Sequence, residues 1–120
     1  MSSTKTLFIT GVSTGFGKAL AAQALAAGHK VIGTLRNQDA IESLEAQAPG
    51  RAHGVLLDVT EFAAIDSVIN DVDKAFGPVD VLVNNAGYGH EGVFEESTLE
   101  EMRHQFEVNV FGAVAIAKAF

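Results

Sequence analysis

Four short runs of apolar residues recur along the chain, and each has the composition of a β-strand buried on both faces. β-Branched residues are frequent in them, and they lack the strict alternation of polar and apolar positions that marks a half-exposed strand. The predicted strands are residues 6–10, 30–35, 53–59 and 79–84.

The segments that follow these strands are predicted helices with recognisable start and stop signals. Residues 15–27 are rich in alanine and leucine and are followed by Gly28, and a weaker helix over residues 39–47 stops at a Pro-Gly pair. The third helix is capped by Thr60 and runs to Phe76. The fourth opens with a capping box at residues 97–100, Ser-Thr-Leu-Glu, and continues to the last residue.

Strands and helices therefore alternate from one end of the chain to the other. Alternation of this kind, with strands buried on both faces, predicts a parallel sheet covered by helices on each side. The predicted class is α/β, a Rossmann-like doubly wound sheet that stops after the fourth strand and the following helix. We expect residues 1–120 to form one such unit, with no second domain.

Composition narrows the class of protein. The chain is 48% hydrophobic and 19% charged, which is typical of a globular protein. It has no apolar run near the ~20 residues of a membrane span, and MSSTK does not resemble a signal peptide. Without cysteine it cannot form disulfides or thiolate zinc sites. We expect a cytoplasmic protein that binds no membrane.

The charges argue against a nucleic-acid partner and against a metal site. The net charge is −7, and the eight basic residues are scattered rather than clustered. The histidines show no ligand spacing, so we predict no metal; they are His29, His53, His90 and His104.

The first strand passes into the first helix through TGVSTGFG, residues 10–17, which holds three glycines. In a doubly wound sheet, ligands bind at the carboxyl ends of the strands, where this turn lies. Gly11 suits the tight turn, Gly15 lets backbone N–H groups approach an anion, and Gly17 allows close packing of the helix. With the positive end of the helix dipole, the turn is a candidate diphosphate site.

The glycine spacing, G-x-x-x-G-x-G, differs from the general G-x-G-x-x-G fingerprint. Together with LDVT after the third predicted strand, NNAG after the fourth and VN in the last helix, it resembles the short-chain dehydrogenase/reductases. The motifs have that family's order and spacing over residues 6–120. The resemblance implies hydride transfer between a nicotinamide cofactor and a small carbonyl or alcohol substrate, in a homo-oligomer. The cofactor-binding residues it implies in the glycine turn are Gly11, Ser13, Thr14, Gly15, Phe16 and Gly17.

Two further motifs lie at the carboxyl ends of predicted strands. A carboxylate at a strand end can accept a hydrogen bond from a ligand amine; the resemblance gives Asp58 and Val59 to the adenine ring, although Asp58 could instead only begin a turn. The same resemblance gives residues 85–87 to the cofactor and Asn84 to the sheet; the alternative is a plain Asn-Gly turn. The implied contacts are Asn85, Ala86 and Gly87.

Arg36 predicts which dinucleotide binds. NAD sites usually place an acid about 20 residues past the glycines, against the ribose 2′-hydroxyl. Here the second strand leads into Arg36, whose guanidinium suits a 2′-phosphate. We predict NADP rather than NAD; a surface pair of Arg36 with Asp39 is the alternative.

Asn109 lies in an apolar stretch, where its side-chain amide needs a hydrogen-bond partner, and the resemblance makes it the one candidate catalytic residue. The resemblance implies that it bends the helix and holds a water in a proton relay. The alternative is an amide that bonds its own helix backbone. The apolar stripe beside it is predicted to form core and subunit interface; its members are Phe106, Val110, Ala113 and Ala117.

The family's serine and Tyr-x-x-x-Lys pair are missing from this sequence. The only tyrosine is Tyr88, and Gly92 occupies the position four residues on. We therefore expect the cofactor-binding half of a longer enzyme, itself inactive, whether a cloned piece, a natural truncation or part of a larger protein. The alternative function is a non-catalytic dinucleotide-binding module or remnant. Sugar-nucleotide epimerases space their glycines differently, and a methyltransferase would favour an acid in place of Arg36.

These expectations predict that the isolated chain folds poorly and self-associates. Its fourth strand would be an open sheet edge, and its last helix would expose apolar surface. Urea denaturation with analytical ultracentrifugation checks this. A cooperative two-state transition of a monomer would contradict it.

Overall fold

The predicted strands form a parallel sheet in a computed structural model, which describes residues 4–87 and 98–120. Within these residues the strands are β1 (Thr6–Ile9), β2 (Lys30–Leu35), β3 (Ala52–Leu56) and β4 (Val81–Val83). Their order in the sheet is β3-β2-β1-β4. The predicted Rossmann-like α/β class is confirmed.

The described helices follow the predicted order. They are α1 (Gly15–Ala26), α2 (Gln38–Gln47), α3 (Phe62–Phe76), α4 (Leu99–Phe106) and α5 (Ala113–Ala119), with a π-helical segment, Glu107–Gly112, joining the last two. Gly28, with φ +94°, ends α1 as predicted: its N–H donates to the Leu25 carbonyl, and the next N–H donates to Ala24.

The core has two layers because neighbouring strand residues point to opposite faces of the sheet. Ile9 and Val31 lie in the layer beneath α1 and α2. Phe8 and Ile32 lie in the layer beneath α3 and α5, where Ile116 is fully buried. Helices therefore cover both faces of the sheet.

Two predicted helix starts are wrong in detail. Thr60 does not cap α3: its hydroxyl donates to Asp58 Oδ1, and Glu61 is the N-cap without a side-chain capping bond. The capping box lies one residue later than predicted: Thr98 is the N-cap of α4, its side chain accepts from the Glu101 N–H, and the Glu101 side chain accepts from the Thr98 N–H. Ser97 lies outside the described residues.

The predicted apolar stripe does not form the core face of the last helix. Phe106, Val110 and Ala117 are exposed and Ala113 is only partly buried. The π-helical turns hold more residues than α-helical turns, so they rotate the buried face. The residues that pack inward are Val108, Gly112, Ala115, Ile116 and Ala119.

The end of the chain leaves apolar surface uncovered. In the described sheet, β4 is an edge strand, and Leu99, Phe111 and Val114 are exposed. No helix in the described ranges has both the length and the apolar character needed to cross a bilayer.

Burial on α5 predicts a contrast between two substitutions. Ile116→Ala should lower the free energy of unfolding by about 2–5 kcal/mol, because it opens a cavity in the core layer of Phe8 and Ile32. Val114→Ala, at a side chain 51% exposed, is the matched control and should change it by less than about 0.5 kcal/mol. Urea denaturation measures both; equal effects would contradict the assigned inward face.

Candidate functional site

A cavity of about 350 Å³ lies at the carboxyl end of the sheet, where the loops after the strands meet the π-helical segment. Every predicted cofactor contact except Gly17 lines it. The lining residues are Gly11, Ser13, Thr14, Gly15, Phe16, Thr34, Leu35, Arg36, Leu57, Asp58, Val59, Asn85, Ala86, Gly87 and Val108. The structure therefore brings together residues that are up to about 100 positions apart in sequence.

The glycine turn has two kinds of glycine. Gly11 and Gly15 have φ of +70° and +58°, which other residues rarely adopt, and a side chain on Gly15 would point into open space. Gly17 is buried instead, and a Cβ there would overlap the Gly11 carbonyl oxygen and the Asn85 side-chain nitrogen. Gly17 thus serves the packing that the sequence predicts for it, below the cavity rather than in its wall.

The amino end of α1 opens into this cavity. Thr14 is its N-cap, but the Thr14 side chain makes no capping hydrogen bond, and the first turn carries no acid. The first N–H groups of a helix have no partner within the helix, and the dipole adds partial positive charge there. This end of α1 is therefore suited to an anion.

Two buried threonines that sequence analysis missed hold the turn in place. Thr10 Oγ1 accepts hydrogen bonds from the Asn85 and Ala86 N–H groups at 3.0 and 2.9 Å, and Thr34 Oγ1 accepts one from Gly11 N–H at 3.0 Å. Both threonines are almost completely buried. Their signal was a hydroxyl in an otherwise apolar strand, since a buried polar group must find a partner.

The paired asparagines both make hydrogen bonds that hold neighbouring elements together. Asn85 joins neighbouring loops, because its side-chain NH₂ donates to the carbonyls of Thr10 and Gly11 at 3.2 and 3.0 Å. Asn84 donates to the Ala113 carbonyl at 3.1 Å and so ties the end of β4 to α5. The predicted sheet-steadying role of Asn84 thus falls largely to Asn85, which also lines the cavity.

Asp58 lies beyond the end of β3. The strand was predicted to end at Val59, but it ends at Leu56. Asp58 Oδ1 accepts from both the N–H and the hydroxyl of Thr60, at 2.9 and 2.7 Å. These bonds hold the pKa of Asp58 below its ordinary value of 3.8; Arg36 and His104 add to the lowering, and burial opposes it. Asp58 does begin a turn, and since both bonds use Oδ1, Oδ2 faces no competition from Thr60 for a ligand.

Arg36 directly follows β2 and is exposed at the cavity wall. Its charge acts on Asp58. Within residues 4–87 and 98–120, no ion pair joins Arg36 to Asp39; the Asp39 N–H donates to Oδ1 of Asn37, the N-cap of α2. The guanidinium is thus placed where a ligand phosphate could reach it.

Asn109 lies in the π-helical segment, so the helix is irregular at the position where the resemblance implied a bend. Its Oδ1 would be 2.9 Å from a Cβ on Gly87, a cavity residue, although Asn109 itself does not line the cavity. Tyr88 and His90 lie outside the described residues. In the part of the chain that the structure describes, no group of three His, Asp or Glu residues could hold a metal.

Comparison with known proteins identifies the family. The model of the short chain dehydrogenase family matches residues 5–120, and the chain belongs to that family. It is 37% identical over 92% of its length to an NADPH-dependent 3-dehydrocapnine reductase from Ornithobacterium rhinotracheale, covering 40% of that protein. It is 34% identical over 96% of its length to the 3-oxoacyl-[acyl-carrier-protein] reductase FabG of Escherichia coli, covering 47% of it.

Solved structures agree. A short-chain dehydrogenase from Streptomyces avermitilis superposes with a TM-score of 0.93 and 49% identity over the whole chain, which covers 44% of that protein. Escherichia coli serine dehydrogenase superposes with a TM-score of 0.88 and 28% identity over 95% of the chain, which covers 53% of it. The chain thus spans about half the length of these relatives.

The bonds at Asp58 predict a change in its titration. Thr60→Val should raise the pKa of Asp58 because it removes the hydroxyl donor, whereas Thr60→Ser keeps that donor and should leave the pKa low. Carboxyl ¹³C NMR titration measures both. Because the folded pKa is lowered, this carboxylate stabilises the fold above its unfolded pKa, and the contribution disappears as pH falls through the folded pKa. An identical Asp58 titration in the Val and Ser variants would contradict the assignment.

Proposed function

We propose that this chain binds NADP in the cavity and forms the cofactor-binding part of a short-chain oxidoreductase. The observation that carries the proposal is the position of Arg36, which lines the same cavity as the amino end of α1. One end of the cavity thus offers N–H donors for a diphosphate, and another offers a guanidinium for a 2′-phosphate.

Each remaining wall has chemistry that suits a part of the dinucleotide. Asp58 offers Oδ2 to the adenine amine, with Val59 and Leu57 as apolar contacts. Asn85 and the small residues Ala86 and Gly87 leave room for a ribose or a flat ring. One relative is named as NADPH-dependent, which supports the choice of NADP over NAD.

The proposed reaction is reduction of a carbonyl or oxidation of an alcohol. When bound, the nicotinamide supplies or accepts the hydride. This chain's own residues bind and orient the dinucleotide, and Asn109 is proposed to hold a water in the proton path. The homo-oligomer and the cytoplasmic location expected from the sequence stay predictions.

A non-catalytic dinucleotide-binding module is the second candidate. The observation that favours it is the sequence itself: the only tyrosine, Tyr88, is followed four residues on by Gly92, so these 120 residues do not contain a Tyr-x-x-x-Lys pair. Binding and turnover therefore need separate measurements. Binding of NADPH with no oxidation by a panel of ketones and aldehydes would support the module.

Cofactor choice is tested by Arg36→Leu. This substitution should raise the Kd for NADPH about 10- to 100-fold, because a charge-assisted contact to the 2′-phosphate is lost, and should change the Kd for NADH less than about threefold. Lys74→Leu removes the same charge at the end of α3, away from the cavity, and is the control.

Isothermal titration calorimetry with both dinucleotides separates the outcomes. A parent chain that prefers NADH would refute the choice of NADP. A parent that binds neither dinucleotide would refute the site.

A further inference from the structure

Gly112 lies at the end of the π-helical segment, and its backbone conformation does not require glycine. Its φ and ψ are −61° and −46°, ordinary helical angles at which alanine is preferred over glycine. It is nevertheless buried. The reason for glycine must therefore lie in what surrounds it.

Val59 leaves no room for a side chain at this position. A Cβ on Gly112 would be 2.8 Å from Val59 Cγ2, 3.0 Å from the Val59 carbonyl oxygen and 3.1 Å from the Glu107 carbonyl oxygen. Val59 is buried and lines the cavity. The π-helical segment therefore contacts the cavity wall at Val59 through Gly112.

The same segment touches the opposite wall of the cavity. Val108 lines the cavity directly, and Asn109 Oδ1 would be 2.9 Å from a Cβ on Gly87. One residue beyond the segment, the Ala113 carbonyl accepts from Asn84 Nδ2. The π-helical segment is therefore held between the loop after β3 and the loop after β4.

We propose that Gly112 is a positioning residue, which sets how closely the π-helical segment approaches Val59 and thereby places Val108 in the cavity wall and Asn109 against Gly87. The inference rests on the proposed function, since it assumes that the cavity takes a dinucleotide. A side chain at position 112 pushes the segment away from Val59 and carries Val108 and Asn109 with it.

The test is Gly112→Ala in the full-length protein, with NADPH as the probe. Helix propensity alone would make this substitution stabilising. We expect it instead to lower the urea midpoint and to raise the Kd for NADPH about tenfold, as small displacements of binding groups do. Gly54→Ala is the matched control: its Cβ would overlap Ile41 at 2.7 Å, away from the cavity. It should lower the midpoint and leave the Kd within about twofold of the parent.

A double-mutant cycle with Val59→Ala isolates the contact. Removing Cγ2 relieves the nearest overlap. The Kd of the double variant should therefore be at least about threefold lower than the value expected if the two separate effects multiplied. Effects that simply multiply would overturn the proposal, as would a Gly112→Ala variant that binds NADPH like the parent. If Gly112→Ala does not fold, Val59→Ala should restore folding, and an unfolded double variant would overturn the proposal too.

Failure of the proposed function gives a different result. In that case the parent itself binds neither NADPH nor NADH. The urea midpoints of the four proteins then replace the Kd in the double-mutant cycle. Additive effects of the two substitutions on the midpoint would refute the contact between Gly112 and Val59.

Discussion

The candidate site depends on a hydrogen-bonded junction between the loops after β1 and β4. Thr10 Oγ1 accepts two N–H groups from the β4 side, and the Asn85 side chain returns two bonds to the carbonyls of Thr10 and Gly11. Because a buried donor or acceptor left unpaired costs more than a typical bond gains, the junction has one favourable arrangement. Gly17 lies directly against it, and any side chain there would break it.

This junction fixes the direction of α1 and with it the electrostatics of the cavity. The chain has a net charge of −7, so an anionic ligand needs local compensation. The unpaired N–H groups at the start of α1 provide it at one wall, and Arg36 at another. The hydrogen bond from Gly11 N–H to Thr34 Oγ1 connects these two walls, because Thr34 lies near the end of β2 and Arg36 directly follows that strand.

Local patterns predicted those parts of the fold that local physics determines. The bounds of β2 and the glycine end of α1 follow from an apolar run and a left-handed turn, both readable in a short window. β3 is shorter than predicted because Leu57, Asp58 and Val59 leave the sheet and line the cavity, although their composition still resembles a strand. Thr60 was predicted to cap α3, but its hydroxyl donates to Asp58 Oδ1 at 2.7 Å.

The π-helical segment shows where single-sequence reasoning stops. The family resemblance implied a bend in the helix at Asn109. The extent of the π-helical segment and its effect on the buried face depend instead on contacts with Val59 and Gly87, which are distant in sequence. The same holds for Thr10 and Thr34, whose partners could not be known before the loops were placed. The motifs identified the cavity residues and two members of the junction, Asn85 and Gly17, but not the two threonines.

The central claim is that the amino end of α1 holds a diphosphate while Arg36 holds a 2′-phosphate. A crystal structure of the protein grown with NADPH tests it most directly. The account predicts diphosphate oxygens within about 3 Å of N–H groups between Ser13 and Gly17, and the 2′-phosphate at a similar distance from the Arg36 guanidinium. A dinucleotide bound elsewhere, or bound in this cavity with its 2′-phosphate turned away from Arg36, would contradict it.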